Sequence, residues 1–366
     1  MENKMSIPDL DIEIGSEFKS PLPGKPDKSR GSMQIGIIGS GQCGGRLAEA
    51  FFKLGYEKAI VINTTDKDVV TANAKHVILS LPDQPGGAGK NMALSRAALD
   101  RNRPMLQKTI SDIFGKLDHI LVCAGLGGGT GCGTVLQLIQ IAQTHMKSLG
   151  YADYEKRVGA IVTLPTISET NAVVSKNVSD VANGLSDMAD AGHISPLIVV
   201  DNEQVRRRLA GTPILKFWKV ANNAIAQLVD SLNMISDHAS EISTFDGADF
   251  ASVMRGGGHM VLGAFRITDN KETIVEKLSD DSRSLLATGF DLKEARVAAA
   301  VVMVNEEAAE DDTELSNRIE EGFDALSQML PNALLHRGIY PDKKPSTRVF
   351  LAYTGLKRPA RYGDFA

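Results

Sequence analysis

An apolar run in the first half of the chain ends in a dense cluster of glycines. Residues 119–133 read HILVCAGLGGGTGCG, and six of these fifteen residues are glycine. Glycine lets consecutive amide N–H groups turn towards an anion, and the helix-period segment from Thr134 to Met146 would direct its positive end at the same point. Each glycine in a helix costs roughly 1 kcal/mol relative to alanine. The segment therefore predicts a strand, a phosphate-binding loop and a helix, and it lacks the Gly-Lys-Ser/Thr ending of the common P-loop.

Length and composition narrow the class of protein. A chain of 366 residues suits two medium domains, and a net charge of −5 gives no reason to expect direct binding to nucleic acid. The three cysteines show neither CxxC nor Cys/His spacing, which favours a reducing compartment and no metal cluster. No apolar run approaches the roughly 20 residues of a membrane span, and no signal peptide precedes the fold. We expect a soluble, cytoplasmic protein without membrane insertion.

A second glycine-rich turn follows the first predicted strand. Residues 33–45 read MQIGIIGSGQCGG, and the apolar positions after them recur at helical spacing as far as Gly55. Gly39 to Gly44 also fits the GxGxxG fingerprint of NAD-binding folds. A dehydrogenase would place Asp or Glu at the end of the next strand, whereas this chain has Asn63 there. An NAD-dependent enzyme stays open as a rival, but a third glycine-rich loop at residues 86–89 favours another fold.

The first loops resemble a known superfamily. GLGGGTGCG is similar to the GGGTGSG signature of the tubulin/FtsZ superfamily, whose members bind GTP and polymerise, and GQCG resembles the first nucleotide loop of tubulins. The resemblance implies phosphate contacts from Gly41, Gln42 and Cys43. It assigns the same role to Leu126, Gly127, Gly128, Gly129, Thr130 and Gly131. INTTDKD resembles the second loop of FtsZ, so Asp66 is a candidate to hold Mg²⁺ through water, with a helix N-cap as the alternative.

The third loop resembles the FtsZ segment that closes over the terminal phosphate. Residues 87–91 read GAGKN, where FtsZ has GAGGN, and the resemblance implies nucleotide contacts from Ala88, Gly89, Lys90 and Asn91. Lys90 replaces a glycine. Its ammonium group would either neutralise phosphate charge or point into solvent.

Four later residues match positions that bind the ribose and the base in this superfamily. Glu169 and Asn202 fall at ribose positions, with a helix N-cap as the alternative for Asn202. Asn222 would read the guanine edge. Trp218 would stack on the base, and its alternative is core packing on an amphipathic helix from Ile214 to His238.

Two aspartates form the candidate catalytic pair. Residues 243–254 read STFDGADFASVM, and Asp246 and Asp249 stand where the superfamily has its NxDxxD catalytic loop. In the superfamily this loop enters the nucleotide site of the next subunit and orients the attacking water. Taken without the resemblance, two carboxylates three residues apart are a helix N-cap and first-turn pair.

The predicted fold class is α/β, with a doubly wound, mainly parallel nucleotide-binding sheet, a long central helix and a smaller α+β activation domain. We expect a flexible arm at residues 1–32, with partner binding as its alternative role. The remaining boundaries are a GTP-binding domain at 33–211, the central helix at 212–238, the catalytic loop and activation domain at 239–356, and a short tail at 357–366. The acidic run at 306–314 is expected to be a solvated loop, and the tail to be disordered.

The resemblance implies a GTPase that binds GTP or GDP with Mg²⁺ and polymerises head to tail with itself. It is closest in pattern to the divergent members, the TubZ/PhuZ-type and CetZ-type proteins. We therefore predict filaments for DNA, plasmid or phage positioning, with a DNA-binding adaptor as a further partner because the chain shows no basic recognition helix. The alternatives are a cell-shape or division filament and a non-polymerising nucleotide-binding regulator.

Overall fold

One mixed sheet organises the molecule. The computed structural model describes residues 30–67, 74–81, 86–267, 273–278, 285–344 and 346–366. Within these ranges, ten strands join in the order β3-β2-β1-β4-β5-β6-β7-β10-β8-β9. Strands β1 to β7 are parallel, while β10 runs antiparallel to both β7 and β8. The strands are Ile35–Ser40, Ala59–Asn63, Lys75–Ile78, His119–Gly125, Val158–Leu164, Leu197–Asp201, His259–Ile267, Val297–Asn305, Leu334–Asp342 and Thr347–Leu356.

Helices cover both faces of the sheet, as a doubly wound fold requires. The helix α1 ends where Gly55 adopts φ +106°, a left-handed conformation that glycine reaches without strain. The described α-helices, α1 to α10, are Gly41–Leu54, Met92–Phe114, Gly129–Ser148, Ala172–Asp190, Asn202–Arg208, Ile214–Ile235, Gly247–Met254, Ile274–Leu278, Glu306–Asp311 and Leu315–Met329. The predicted fold class is confirmed.

Alternating side chains of the strands feed two separate cores. In β2, Ile60 and Ile62 pack towards α2 and α3, whereas Ala59 and Val61 pack towards α1 and α6. This period of two is the signature of a strand buried on both faces. Each face of the sheet therefore holds its helices through its own apolar layer, and the loops at the strand ends rest on a rigid base.

The helix α6 connects the two halves of the sheet. It starts beside the carboxyl ends of the parallel strands and runs roughly 33 Å to their amino ends, given 22 residues at 1.5 Å each. The strand β7 then joins β6 through only two residue pairs, Leu197 with His259 and Ile198 with Met260. The division into domains proposed above stays a prediction, and residues 1–29 of the predicted arm lie outside the described ranges.

Two expectations for the C-terminal third are wrong. The acidic segment expected as a loop forms a helix, Glu306–Asp311, which the Asn305 side chain caps by accepting a hydrogen bond from Ala308 N. The tail expected to be disordered folds into a 3-10 helix at Ala360–Phe365. Phe365 is buried there, and Arg361 forms an ion pair of 3.0 Å with Asp201. The helix has a local cap, whereas the tail is held by a partner 160 positions away, and composition reveals neither contact.

Candidate functional site

A cavity of about 640 Å³ opens at the carboxyl edge of the parallel strands. The loops that follow β1, β2, β4, β5 and β6 converge there, at the place where doubly wound folds bind ligands. The predicted nucleotide-binding residues that line it are Gly41, Gln42, Cys43, Ala88, Gly89, Lys90, Leu126, Gly127, Gly128, Gly129, Thr130, Gly131, Glu169, Asn202, Trp218 and Asn222. The fold thus brings together residues from Gly41 to Asn222, about half of the chain.

Two predicted residues lie outside this lining. Asn91 caps the helix α2, where its side chain accepts a hydrogen bond of 3.0 Å from Ala93 N. Asp66 is exposed and does not border the cavity. Asn91 therefore has a structural role at the base of the third loop, and a role for Asp66 in metal binding stays a prediction.

Close packing explains several of the glycines. A Cβ atom at Gly44 would lie 2.0 Å from the Cys123 carbonyl oxygen, and one at Gly133 would lie 2.0 Å from Ser95 Oγ. These glycines let α1 and α3 approach β4 and α2. Gly128 differs, because a Cβ built there meets no atom within 4 Å. The cluster thus serves two needs, helix packing and access to the cavity, and Gly128 belongs to the second.

Hydroxyl groups that the sequence analysis missed connect the loops. Ser40 Oγ lies 2.6 Å from Thr134 Oγ1, and Thr64 Oγ1 lies 2.7 Å from Thr130 Oγ1. Thr64 Oγ1 also accepts a hydrogen bond from Ala88 N. The second loop is therefore bonded to both the glycine loop and the third loop, which orders their backbone amides before any ligand binds.

The helix α4 supports the cavity from the other side. Asn177 Nδ2 donates to the Lys90 carbonyl oxygen at 2.9 Å and to that of Gly127 at 3.3 Å. One buried amide thereby fixes the third loop to the glycine loop. The signal available in the sequence was an asparagine on the buried face of an amphipathic helix, where an apolar residue is more usual.

Lys90 occupies a strained backbone position. Its φ is +66°, in the left-handed region that glycine favours, and it lies in the third loop at the cavity edge. A residue other than glycine pays roughly 1 kcal/mol or more there. Strain retained at a cavity points to a use for the side chain, and an ammonium group is suited to phosphate oxygens.

The cysteines near the cavity are neutral thiols. Burial raises the pKa of Cys43, whose Sγ lies 3.2 Å from Thr163 Oγ1. Burial also raises the pKa of Cys132 to about 12, and its sulfur accepts a hydrogen bond from Gly127 N at 3.0 Å. Cys132 thus turns the chain at the start of the glycine loop rather than offering a nucleophile.

Two polar residues border the side of the cavity formed after β5 and β6. Glu169 Oε2 accepts hydrogen bonds from the amide and the hydroxyl of Thr166, both at 3.0 Å, so part of its carboxylate is used locally. The alternative of Asn202 as an N-cap is wrong, because Asp201 caps α5 by accepting from Glu203 N. Asn202 is buried in the first turn and lines the cavity.

The first turns of α6 close the cavity at its far end. Asn222 Nδ2 donates to the Trp218 carbonyl oxygen at 2.6 Å, which leaves its Oδ1 atom as the acceptor. Trp218 is partly buried and packs edge-on against Phe217, with ring centroids 5.0 Å apart. Its ring lines the cavity as well as packing, so the two readings of Trp218 are compatible.

Asp246 and Asp249 lie at the opposite end of the sheet. Asp246 caps α7 by accepting from Ala248 N and Asp249 N, and Asp249 Oδ2 accepts from Asp246 N at 3.2 Å. The other carboxylate oxygen of Asp249 pairs with His336 Nδ1 at 2.7 Å. The following strand, β7, starts at the amino edge of the parallel strands. The aspartates are therefore about the length of α6 away from the cavity of their own chain.

The described residues set two further bounds. No cluster of three or more His, Cys, Asp or Glu side chains in these ranges is arranged to hold a metal ion. None of the helices within them combines the length and apolarity needed to cross a bilayer.

Known proteins resemble both the sequence and the fold. Residues 34–209 match the tubulin/FtsZ family, GTPase domain. The tubulin-like protein CetZ of Pyrococcus furiosus is 27% identical over 325 residues, which cover 85% of this chain and 82% of that protein.

Two solved filament structures share the fold. A GTPγS-bound protofilament of CetZ2 from Haloferax volcanii has a TM-score of 0.71 at 20% identity, and the match covers 91% of this chain and 96% of that one. A GTPγS-form protofilament of TubZ from Bacillus thuringiensis serovar israelensis has a TM-score of 0.74 at 17% identity, covering 92% and 91%.

Proposed function

We propose that this chain is a divergent GTPase of the tubulin/FtsZ superfamily, which assembles head to tail into filaments and hydrolyses GTP between its subunits. One observation carries this proposal. The cavity lined by the glycine-rich loops and the two aspartates at the start of α7 lie at opposite ends of the same chain. Neither end forms a complete hydrolytic site alone, whereas stacking two copies in the same direction would bring them together.

The cavity is suited to a nucleoside triphosphate. Backbone amides of residues 128–131, ordered by the Thr64 and Asn177 bonds, would surround the phosphate oxygens at the N-terminus of α3. Lys90 would add positive charge at the open edge. Trp218 would stack on the base, and Asn222, whose amide already donates to the backbone, would accept a hydrogen bond from a base N–H through Oδ1.

Hydrolysis would use the aspartates of the neighbouring subunit. His336 and the Asp246 amide hold the Asp249 carboxylate in one direction before assembly. Little further side-chain freedom would be lost when the shared site forms. In the assembled site it would orient a water molecule in line with the terminal phosphoryl group and accept a proton as the water attacks. The amides and Lys90 of the other subunit would stabilise charge that develops on the transferred group. Mg²⁺, bound chiefly by phosphate oxygens, would neutralise phosphate charge there.

Exposed apolar side chains occur at both ends of the molecule. Ile167 and Val173 are 63% and 54% exposed beside the cavity. Ile242 and Leu334 are 54% and 58% exposed, one just before the catalytic loop and the other on the strand that carries His336. An interface that joins different surfaces of identical chains does not close and gives a filament. The two apolar pairs are in place to form such an interface.

For the cellular role, we propose positioning or segregation of DNA or phage particles in the cytoplasm, with a DNA-binding adaptor protein. A cell-shape or division filament is the second candidate for the cellular role. The chain is similar to both CetZ and TubZ, and this supports carrying both candidates forward. A pull-down on filaments, with and without DNA, would favour the first role if a DNA-binding protein is retained only in the assembled state.

Assembly and turnover can be measured together. Light scattering and phosphate release should be recorded after GTP and Mg²⁺ are added at several protein concentrations. We expect both signals above one critical concentration, with phosphate release following scattering. ATP at the same concentration is the matched control. Phosphate release that is linear in protein concentration, without scattering, would contradict hydrolysis between subunits.

A further inference from the structure

A second groove lies beside the nucleotide cavity, between α1 and α6. It has a volume of about 500 Å³ and shares Gly41, Gln42, Arg46, Asn63, Trp218 and Asn222 with the cavity. Its remaining walls differ, because Lys53, His76 and Lys219 line only the groove. Ile214 and Leu215 stand at its edge with 88% and 95% of their surfaces exposed. Lys53 and Lys219 therefore place positive charge outside the cavity and beside exposed apolar side chains.

The charge of the groove favours an acidic ligand. Arg46, Lys53 and Lys219 contribute three positive charges. The one carboxylate among the lining residues, Glu49, already accepts hydrogen bonds from His76 Nε2 at 3.2 Å and Ala74 N at 3.1 Å. An occupant with carboxylates spaced between apolar side chains would complement both the lysines and the exposed isoleucine and leucine.

Such a segment exists in this chain. Residues 9–14 read DLDIEI, so that three carboxylates alternate with three large apolar residues. Acidic and apolar side chains in strict alternation give the segment one charged and one apolar side when it is extended.

The described end of the N-terminal segment is fixed to the same two helices. Arg30 donates to both carboxylate oxygens of Asp230 on α6, at 2.6 and 2.7 Å. Asn233, also on α6, accepts from Met33 N and donates to the carbonyl oxygens of Arg30 and Met33. The Arg30 side chain lies close to Gly55 at the end of α1. The chain before residue 30 thus starts at the far end of the α1 and α6 pair that forms the groove.

The distances suit binding within one molecule. Asp230 and Lys219 are eleven residues apart on α6, which is roughly 16 Å along the helix. Fifteen residues separate Ile14 from Arg30, and a chain of that length reaches at most roughly 50 Å, so the connection is long enough to span this distance. A short linker that can span two sites gives an effective concentration in the millimolar range. A dissociation constant of about 0.1 mM would then keep roughly nine molecules in ten bound.

We propose that residues 9–14 bind in the groove between α1 and α6 of their own chain, where their carboxylates meet Lys53 and Lys219. The proposal does not depend on filament formation, and it is tested on the full-length monomer.

Zero-length crosslinking of carboxylates to amines tests the contact directly. An equal mixture of natural-isotope and ¹⁵N-labelled protein, kept dilute and without nucleotide, should be crosslinked, and the monomer band and any dimer band analysed by mass spectrometry. We expect links from Asp9, Asp11 or Glu13 to Lys53 and Lys219, at least tenfold above links to exposed Lys108 on α2, and only between like isotopes. Mixed-isotope links would show binding to a neighbouring copy and overturn the proposal. Equal yields at all three lysines would overturn it as well.

Proteolysis of the arm gives an independent readout. Chymotrypsin cleavage after Leu10 should be about tenfold faster in a Lys53→Glu/Lys219→Glu variant than in the natural chain, because charge reversal releases the segment. Lys108→Glu is the matched control and should leave the rate unchanged. The proposal fails if all three proteins are cut at the same rate.

Discussion

Gly128→Glu should weaken nucleotide binding strongly without unfolding the protein. Gly128 is exposed at the mouth of the cavity, with φ −80° and ψ 165°, a conformation open to any residue. No atom lies within 4 Å of a Cβ built there. Since no clash or backbone strain accompanies the substitution, the effect of the new carboxylate on a bound phosphate can be measured almost in isolation.

The size of that effect follows from charge repulsion. A carboxylate about 6 Å from one phosphate charge, at an effective dielectric constant of about 20, costs about 3 kcal/mol. This corresponds to about a 100-fold weaker affinity for GTP. Salt should reduce the loss, because the site is open to solvent. Stability should change little, with about 1 kcal/mol as the upper bound for altering the residue that precedes α3.

Titration of monomers with a fluorescent GTP analogue measures this directly. Gly128→Ala is the matched control, because it adds the same Cβ without the charge, and its affinity should stay within about threefold of the natural chain. Urea unfolding of both variants checks the fold. If Gly128→Glu binds GTP as tightly as Gly128→Ala, the glycine loop does not hold the phosphates and the assignment of the cavity is wrong.

Three further predictions concern catalysis and stability. Asp249→Asn should slow GTP hydrolysis by about 10²- to 10⁴-fold while monomers bind GTP as before, and weakened binding in that variant would place the aspartate in its own chain's site. Asn233→Ala should lower the free energy of unfolding, measured by urea denaturation, by about 2–4 kcal/mol, because it leaves Met33 N and two carbonyl oxygens without their side-chain partner. A loss below about 1 kcal/mol would refute this role of Asn233. Burial is the main cause that lowers the pKa of His119 to about 3 and that of His259 to about 4, so the unfolded chain takes up protons below about pH 6.5 that the folded chain does not. The free energy of unfolding should therefore fall from pH 6.5 towards pH 4. Between pH 7 and pH 5 this fall should be about 2 kcal/mol smaller in His119→Leu than in the natural chain. An equal fall in both proteins would contradict the lowered pKa of His119.

Much of the site could be predicted because its signals are local in sequence. Glycine-rich turns after apolar strands have few structural explanations, and the rule that ligands bind at carboxyl strand ends places such turns together. Apolar residues at helical spacing located α6 within three residues of its observed end at Ile235. The sequence could not separate the glycines needed for packing from those open to a ligand, since that difference depends on which neighbour lies opposite each one.

The missed residues depend on contacts between distant parts of the chain. Thr64 contacts Thr130, which is 66 positions away in the sequence, and His336 contacts Asp249, which is 87 positions away. No local pattern predicts either pair. The tail was misjudged for the same reason, because a single buried phenylalanine and the pairing of Arg361 with Asp201 hold it in place. Local propensity predicts helices and strands, but it does not predict that a segment is ordered by one contact with a distant residue.

Mixing two inactive variants tests the division of the active site between subunits most directly. At a GTP concentration that fills the natural site but not a site of about 100-fold weaker affinity, Gly128→Glu stays largely empty. Asp249→Asn lacks the catalytic carboxylate, so each protein alone should hydrolyse GTP very slowly. In an equal mixture that co-assembles at random, about a quarter of the interfaces join an intact nucleotide site to an intact Asp249. We predict that phosphate release rises to about a quarter of the natural rate. Activity that stays at the sum of the two separate proteins, while both sediment in the same filaments, would contradict a site shared between subunits.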